Sequence, residues 1–125
     1  MSADVTFGLG MITTDSTDPL PLARWWTELL GGEVVAENDG WFVIVASPVA
    51  TLAFQKVDEV TPGKNRIHLD LGVEGGGDEG LEAAVRRVVS SGGSLVAEHV
   101  ENDFRWITVA DPEGNQFCLA PAAQD

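Results

Sequence analysis

The chain is poor in positive charge: Lys and Arg number 7 against 20 Asp and Glu, for a formal net charge of −13 over 125 residues. Binding to nucleic acid needs a basic footprint on the phosphates, and so few cations cannot supply one. Attraction to an anionic membrane surface is excluded by the same argument. Cysteine is nearly absent; Cys118 stands alone, so no intrachain disulfide forms and secretion gains no support. No apolar run approaches the ~20 residues of a membrane-spanning helix. The opening Met1-Ser2-Ala3-Asp4-Val5 lacks the basic and apolar regions of a signal peptide. The expectation is a cytoplasmic protein with no nucleic-acid or membrane partner, open to neutral or cationic small molecules. What is present is ordinary for a globular domain: 44% hydrophobic and 22% charged residues.

The informative feature is an internal repeat. Gly31-Gly32-Glu33-Val34-Val35-Ala36-Glu37 recurs 61 residues later as Gly92-Gly93-Ser94-Leu95-Val96-Ala97-Glu98. Asn38-Asp39 is echoed by Asn102-Asp103, and Val43-Ile44-Val45-Ala46-Ser47-Pro48 by Ile107-Thr108-Val109-Ala110-Asp111-Pro112. Several matches in one order at nearly one offset point to a duplicated module.

Each half reads as strand, helix, then three strands. In the first, a strand over 5–14 leads to Asp18, whose carboxylate is a natural N-cap, and Pro19 suits the first helical position. Leu22, Trp25, Trp26, Leu29 and Leu30 follow at helical spacing over 19–30, and Gly31 can end the helix in the left-handed conformation. Trp25 and Trp26 diverge by about 100°, so one belongs to the core and the other to an interface. Strands are expected near 33–38, 41–47 and 51–57, with Asn38-Asp39-Gly40 as a hairpin turn. In the second half, Ile67, Leu69 and Leu71 alternate with Arg66, His68 and Asp70, a half-buried strand over 65–71. Asp78 is the expected cap of a helix over 79–91, and strands near 94–99, 104–110 and 115–120 complete the module. Residues 58–64, with Pro62-Gly63, are the expected connection between modules at about 5–57 and 65–120. Gly75-Gly76-Gly77 precedes a helix, but Glu74, Asp78 and Glu79 would repel phosphate, so it reads as a plain connection.

This order resembles the vicinal oxygen chelate superfamily, which includes glyoxalase, bleomycin-resistance and extradiol dioxygenase proteins. The resemblance is carried by Asp18-Pro19, Leu22-Ala23-Arg24-Trp25-Trp26 and Leu29-Leu30-Gly31, by Lys64-Asn65-Arg66-Ile67-His68-Leu69-Asp70-Leu71, and by Arg105-Trp106-Ile107-Thr108-Val109-Ala110-Asp111-Pro112-Glu113-Gly114-Asn115. It implies an α+β fold of two tandem βαβββ modules whose curved mixed sheets enclose a central cleft with the helices outside, and a homodimer.

The resemblance also implies a divalent metal, Zn, Fe, Mn or Ni, held from four positions on the first and last strands of each module. Carried onto this chain they are Met11, Gln55, His68 and Cys118. That set holds one imidazole, one neutral amide and two sulfurs, which is poor for a hard ion. The expectation is therefore a degenerate metal site in a cleft that binds a small organic molecule, aromatic or cationic, flanked by Phe42, Trp106, Arg66 and Asp70. A metal-dependent lyase, isomerase or dioxygenase with an altered ligand set is the alternative, and whether any reaction is catalysed stays open.

Individual residues have plainer readings too. His68 can serve as a general base, with Asp70 about 7 Å along the same strand face. Arg66 reads as a salt-bridge partner of Asp70, His99 as a solvated loop histidine, and Cys118 as an inert thiol. By the repeat, Val43 and Val45 match Ile107 and Val109 and face the helices, leaving Phe42, Ile44, Trp106 and Thr108 for the concave face.

Overall fold

The computed structural model describes residues 5–122. The described residues divide into two compact units, 5–61 and 62–122, each with a four-stranded mixed sheet and one long helix. The first runs β1 (Ile12–Ser16), α1 (Pro19–Leu30), β2 (Glu33–Ala36), β3 (Phe42–Ala46) and β4 (Leu52–Lys56). The second runs β5 (Asp70–Val73), α2 (Gly77–Ser90), β6 (Ser94–Glu101), β7 (Phe104–Ala110) and β8 (Gln116–Pro121). Strand order is β1-β4-β3-β2 in one sheet and β5-β8-β7-β6 in the other. In each, the first strand lies parallel to the last and the other pairs are antiparallel. This is the expected α+β architecture, duplicated.

Alternation along the strands fixes two faces. Val43, Val45, Leu52 and Phe54 are buried with Leu22, Ala23 and Trp26 of α1. Ile107, Val109, Phe117 and Leu119 are buried with Leu81 and Val88 of α2. The tryptophan pair is resolved in the same way: Trp26 is core, and half-buried Trp25 meets its ring edge-on at 5.2 Å.

The repeated glycine pair has a physical cause in both modules. Gly31 and Gly92 sit at φ of 75° and 111°, the left-handed turn that releases the chain from each helix. The second glycine of each pair lies against a strand of its own sheet. A Cβ on Gly32 would collide with the carbonyl oxygen of Ala46, and one on Gly93 with that of Ala110. The echo of Ser47-Pro48 in Asp111-Pro112 is likewise structural. Ser47 Oγ accepts from the amides of Val49 and Ala50, and Asp111 Oδ1 from those of Glu113 and Asn115. Both side chains tie the turn between the last two strands.

Several boundaries depart from expectation. The first strand is not 5–14: Val5, Phe7 and Leu9 are 74%, 96% and 77% exposed, and pairing with β4 starts at Ile12 and runs on to Ser16. Apolar residues there alternate with Gly8 and Gly10, which have no side chain to pack. The fifth strand is not 65–71 but Asp70–Val73. Asn65 takes over the pairing of the preceding segment: its Nδ2 donates to Ile67 O and Gln116 O, and its Oδ1 accepts from Gln116 N. Ile67 is consequently exposed, and Arg66 lies in a bend rather than on a strand face. Asp18 makes no side-chain cap; Ser16 Oγ instead accepts from the Asp18 amide. Asp78 lies inside the first turn of α2, whose N-cap is Gly76 in the left-handed conformation.

Arg105 leaves β7 on the helix side, with Glu82 and Glu98 carboxylates at 3.1 and 3.2 Å and Asp78 at 3.7 Å. Its pKa is raised, chiefly by the hydrogen bond to Glu82, against a smaller lowering from desolvation. The guanidinium therefore stays charged and joins α2 to the β6–β7 hairpin throughout the neutral range.

Gly32→Ala and Gly93→Ala should each cost about 1–3 kcal/mol, as overpacking against immobile backbone does. Gly8→Ala, where a Cβ meets nothing within 4 Å, should change stability by less than ~0.5 kcal/mol. Urea midpoints at unchanged slope measure all three.

Candidate functional site

The open face of the second sheet carries the chemistry. Phe104, Trp106 and Thr108 occupy alternate positions of β7 and so project to the side away from α2. Register places His99 opposite Trp106, and Cys118 opposite both Thr108 and Asp70. Neighbouring strands are about 4.8 Å apart, so one polar row crosses from β6 to β5.

The row is connected. His99 Nε2 lies 3.1 Å from Thr108 Oγ1, and Thr108 Oγ1 lies 3.5 Å from Cys118 Sγ. Thr108 is 7% exposed, so its hydroxyl is held where both neighbours can use it. At the β5 end, His68 Nδ1 lies 3.0 Å from Asp70 Oδ1. One donor atom each from His68, Asp70 and Cys118 falls within 4.8 Å of the others. Beside this row the rings form a ladder. The His99 and Trp106 centroids are 4.8 Å apart at 16°, and those of Phe104 and Trp106 are 5.8 Å apart at 28°.

His99 corrects the sequence reading. It is not a loop residue, because β6 continues to Glu101. The turn consists of Asn102 and Asp103 alone, at φ of 51° and 65°, a two-residue type I′ geometry that these residue types favour. Counting back from such a turn pairs His99 with Trp106, and that was the signal available in the sequence. Arg66 is not the partner of Asp70; His68 is.

The first module repeats the register with different side chains. The last residues of β1 and β5 accept equivalent bonds, from Val57 N to Ser16 O and from Ala122 N to Val73 O. The row Thr13–Ala53–Ile44 therefore matches Asp70–Cys118–Thr108, and Met11 matches His68. Ala53, which has no donor, holds the position that matches Cys118. Gln55 lies two residues further along and is in register with Asp15 and Phe42. Asp15 is four residues from Met11, about 13 Å of strand. The first module thus does not set Met11 beside Gln55. Among the described residues, the one cluster of His, Cys and carboxylate donors lies in the second module.

For a divalent metal the second module's trio is a workable donor set. An imidazole nitrogen, a carboxylate oxygen and a thiol are the ligand types zinc takes. His68 and Asp70 are exposed at 39% and 75% of their side-chain surface, and Cys118 is half-buried. These three would hold the ion, which would supply Lewis acidity at the edge of the aromatic ladder.

Comparison with known proteins places the fold. Residues 11–120 match the profile of the glyoxalase-like domain. A glyoxalase/bleomycin resistance protein/dioxygenase family enzyme from Burkholderia phytofirmans is similar at a TM-score of 0.75 and 14% identity, covering 92% of this chain and 98% of that one. A glyoxalase-related enzyme from Fulvimarina pelagi is similar at 0.72 and 22% identity, covering 92% and 88%. A mutant of the fosfomycin resistance protein FosX from Listeria monocytogenes, complexed with Mn(II) and a dihydroxypropylphosphonic acid, is similar at 0.75 and 15% identity, covering 95% and 93%. At these identities the likeness shows the fold. No curated protein matches the chain.

Thr108→Val is isosteric and removes the hydroxyl between His99 and Cys118. It should cost about 1–3 kcal/mol by leaving a polar partner unsatisfied, whereas Thr108→Ser should recover most of that loss. Urea denaturation of the pair tests whether the polar row is continuous.

Proposed function

The chain belongs to the glyoxalase-like domain family, and from that premise we propose that it binds a small, planar, cationic organic molecule on the open face of its second module. The observation that carries the reading is the ring ladder of Phe104, Trp106 and His99 beside a row of polar groups. A flat aromatic molecule gains from such a surface in two ways. It stacks on the exposed ring of Phe104, and it finds the solvent-open His68 and Asp70 for orientation. Phe104 is 52% exposed, so the ladder is open to a ligand.

Charge favours a cation. With 20 acidic residues against 7 basic ones, the surface field attracts positive molecules over long range, and salt weakens the attraction. The Asp70 carboxylate, 75% exposed, gives that field a local counter-ion. Arg66, in the exposed bend before His68, would select against excess positive charge at that end. A metal-dependent lyase, isomerase or dioxygenase is the alternative reading, favoured by the trio His68, Asp70 and Cys118.

A cationic acridine and its neutral analogue test the first reading. The cation should bind more tightly, with affinity falling as salt rises. Trp106→Ala should weaken it roughly 10- to 100-fold, the effect of losing about 1.5–3 kcal/mol of ring burial. A chelator should leave this binding unchanged. Equal affinity for folded wild type and Trp106→Ala, by isothermal titration, overturns the reading.

Assembly into a homodimer is part of the same proposal. Leu95, Val96 and Val100 on the edge strand β6 are 50%, 45% and 70% exposed, a strand edge that soluble proteins ordinarily cover. Light scattering should return the mass of two chains, and Val100→Lys should shift it toward one.

A further inference from the structure

Among the described residues, two stretches of backbone carry exposed apolar side chains along an edge with no strand against it. The first is the arm ahead of β1. Strand pairing in the first module begins at Ile12, yet Val5, Phe7, Leu9 and Met11 stand at alternate positions before it, all exposed. Alternate residues of extended backbone share one face. These four therefore make an apolar stripe, and Thr6, Gly8 and Gly10 take the other side. The second stretch is β6, which ends its sheet and so leaves a row of amides and carbonyls open to another strand. Register with β7 sets Leu95 and Val100 on the helix side, opposite Val109 and Arg105, and both are exposed there.

We infer that residues 5–11 of one copy lie along the β6 edge of a second copy as a fifth strand, and that the exchange is reciprocal. The inference rests on the homodimer reading and names the contact that makes the dimer. Length matches, since seven extended residues span about 23 Å and the eight of β6 about 26 Å. Main-chain hydrogen bonds hold the arm, and its apolar stripe covers Leu95 and Val100. Charge decides against the simpler pairing of two β6 edges. That pairing would bring Glu98 and Glu101 of both copies into one seam, between chains of net charge −13, and like charges on facing strands repel. The arm Val5-Thr6-Phe7-Gly8-Leu9-Gly10-Met11 carries no charged side chain. Its glycines suit the open face. Glycine weakens a strand by itself but permits close approach of backbone. Beside His99 the arm presents only Thr6, Gly8 and Gly10, so no bulky side chain reaches over the His99–Trp106 stack.

Phe7 and Leu9 are exposed, so replacing them leaves each folded unit intact and the test reads association alone. By light scattering the full wild-type chain should have the mass of two chains, and Phe7→Glu combined with Leu9→Glu should return the mass of one. The contact itself is read by cross-linking. Chains carrying Phe7→Cys are mixed and equilibrated with chains carrying Val100→Cys, and a short bismaleimide is added; wild type, with Cys118 alone, sets the background. The mixture should give a two-chain product that neither variant gives by itself. The inference is overturned if the Phe7→Glu, Leu9→Glu chain keeps the mass of two, or if the mixture gives no product above background. It is also overturned if Val100→Cys alone cross-links as well as the mixture, the result of β6 edges pairing with each other, or if a chain carrying both cysteines links within itself. Those outcomes strike the arm contact alone. A wild-type chain with the mass of one strikes the homodimer reading as well.

Discussion

The two-residue alternation of β7, fixed by burial under α2, is the constraint from which the rest of the second module follows. Ile107 and Val109 are 1% and 0% exposed, and removing either from the core would cost several kcal/mol. A slip of one residue would drive Trp106 and Thr108 under the helix and expose those two side chains. The core therefore sets the open face indirectly. Phe104, Trp106 and Thr108 point outward because their neighbours must point inward, and the flanking strands inherit the choice through register. Cys118 is opposite Thr108 because Phe117 and Leu119 belong to the same buried layer.

Duplication supplied two copies of this device, and they have diverged on the open face while the buried face was kept. The glycine pairs, the side-chain-tied turns before the last strands and the buried valines recur because backbone geometry and core volume demand them in both copies. The outward row does not face the helices. It reads Thr13–Ala53–Ile44 in one module and Asp70–Cys118–Thr108 in the other. Donors are concentrated in the second copy, and that asymmetry is why the aromatic-ligand reading rests there.

The histidines show how little residue type says without register. His68 sits just before a strand, held by the pairing of Leu69 O with Cys118 N and paired with Asp70. His99 has the same side chain in a strand, stacked on an indole and hydrogen-bonded to a buried threonine. In the sequence His68 stands out as functional because it lies in an alternating segment. His99 resembles a loop residue there, because Asn102 and Asp103 have loop composition. Reading those two residues as a tight turn, rather than as part of a longer loop, changes the partner of every residue on β6.

The sequence by itself determined the duplicated βαβββ order, α1 over Pro19–Leu30, β7 over Phe104–Ala110 and the inward role of Val43, Val45, Ile107 and Val109. Local physics governs these features: helical spacing, a proline at the start and a glycine at the end, and alternation across a half-buried sheet. Tertiary structure decided where pairing begins and which side chains meet across strands. Asn65 displaced a strand that its apolar pattern supported, because three side-chain hydrogen bonds satisfied the backbone that a ladder would have used. Ala53, rather than Gln55, came to match Cys118, because parallel register is set by the whole buried layer and not by the residues that face outward. Contacts between residues as far apart as Asp70 and Cys118 depend on that register, and no local pattern in the chain encodes it.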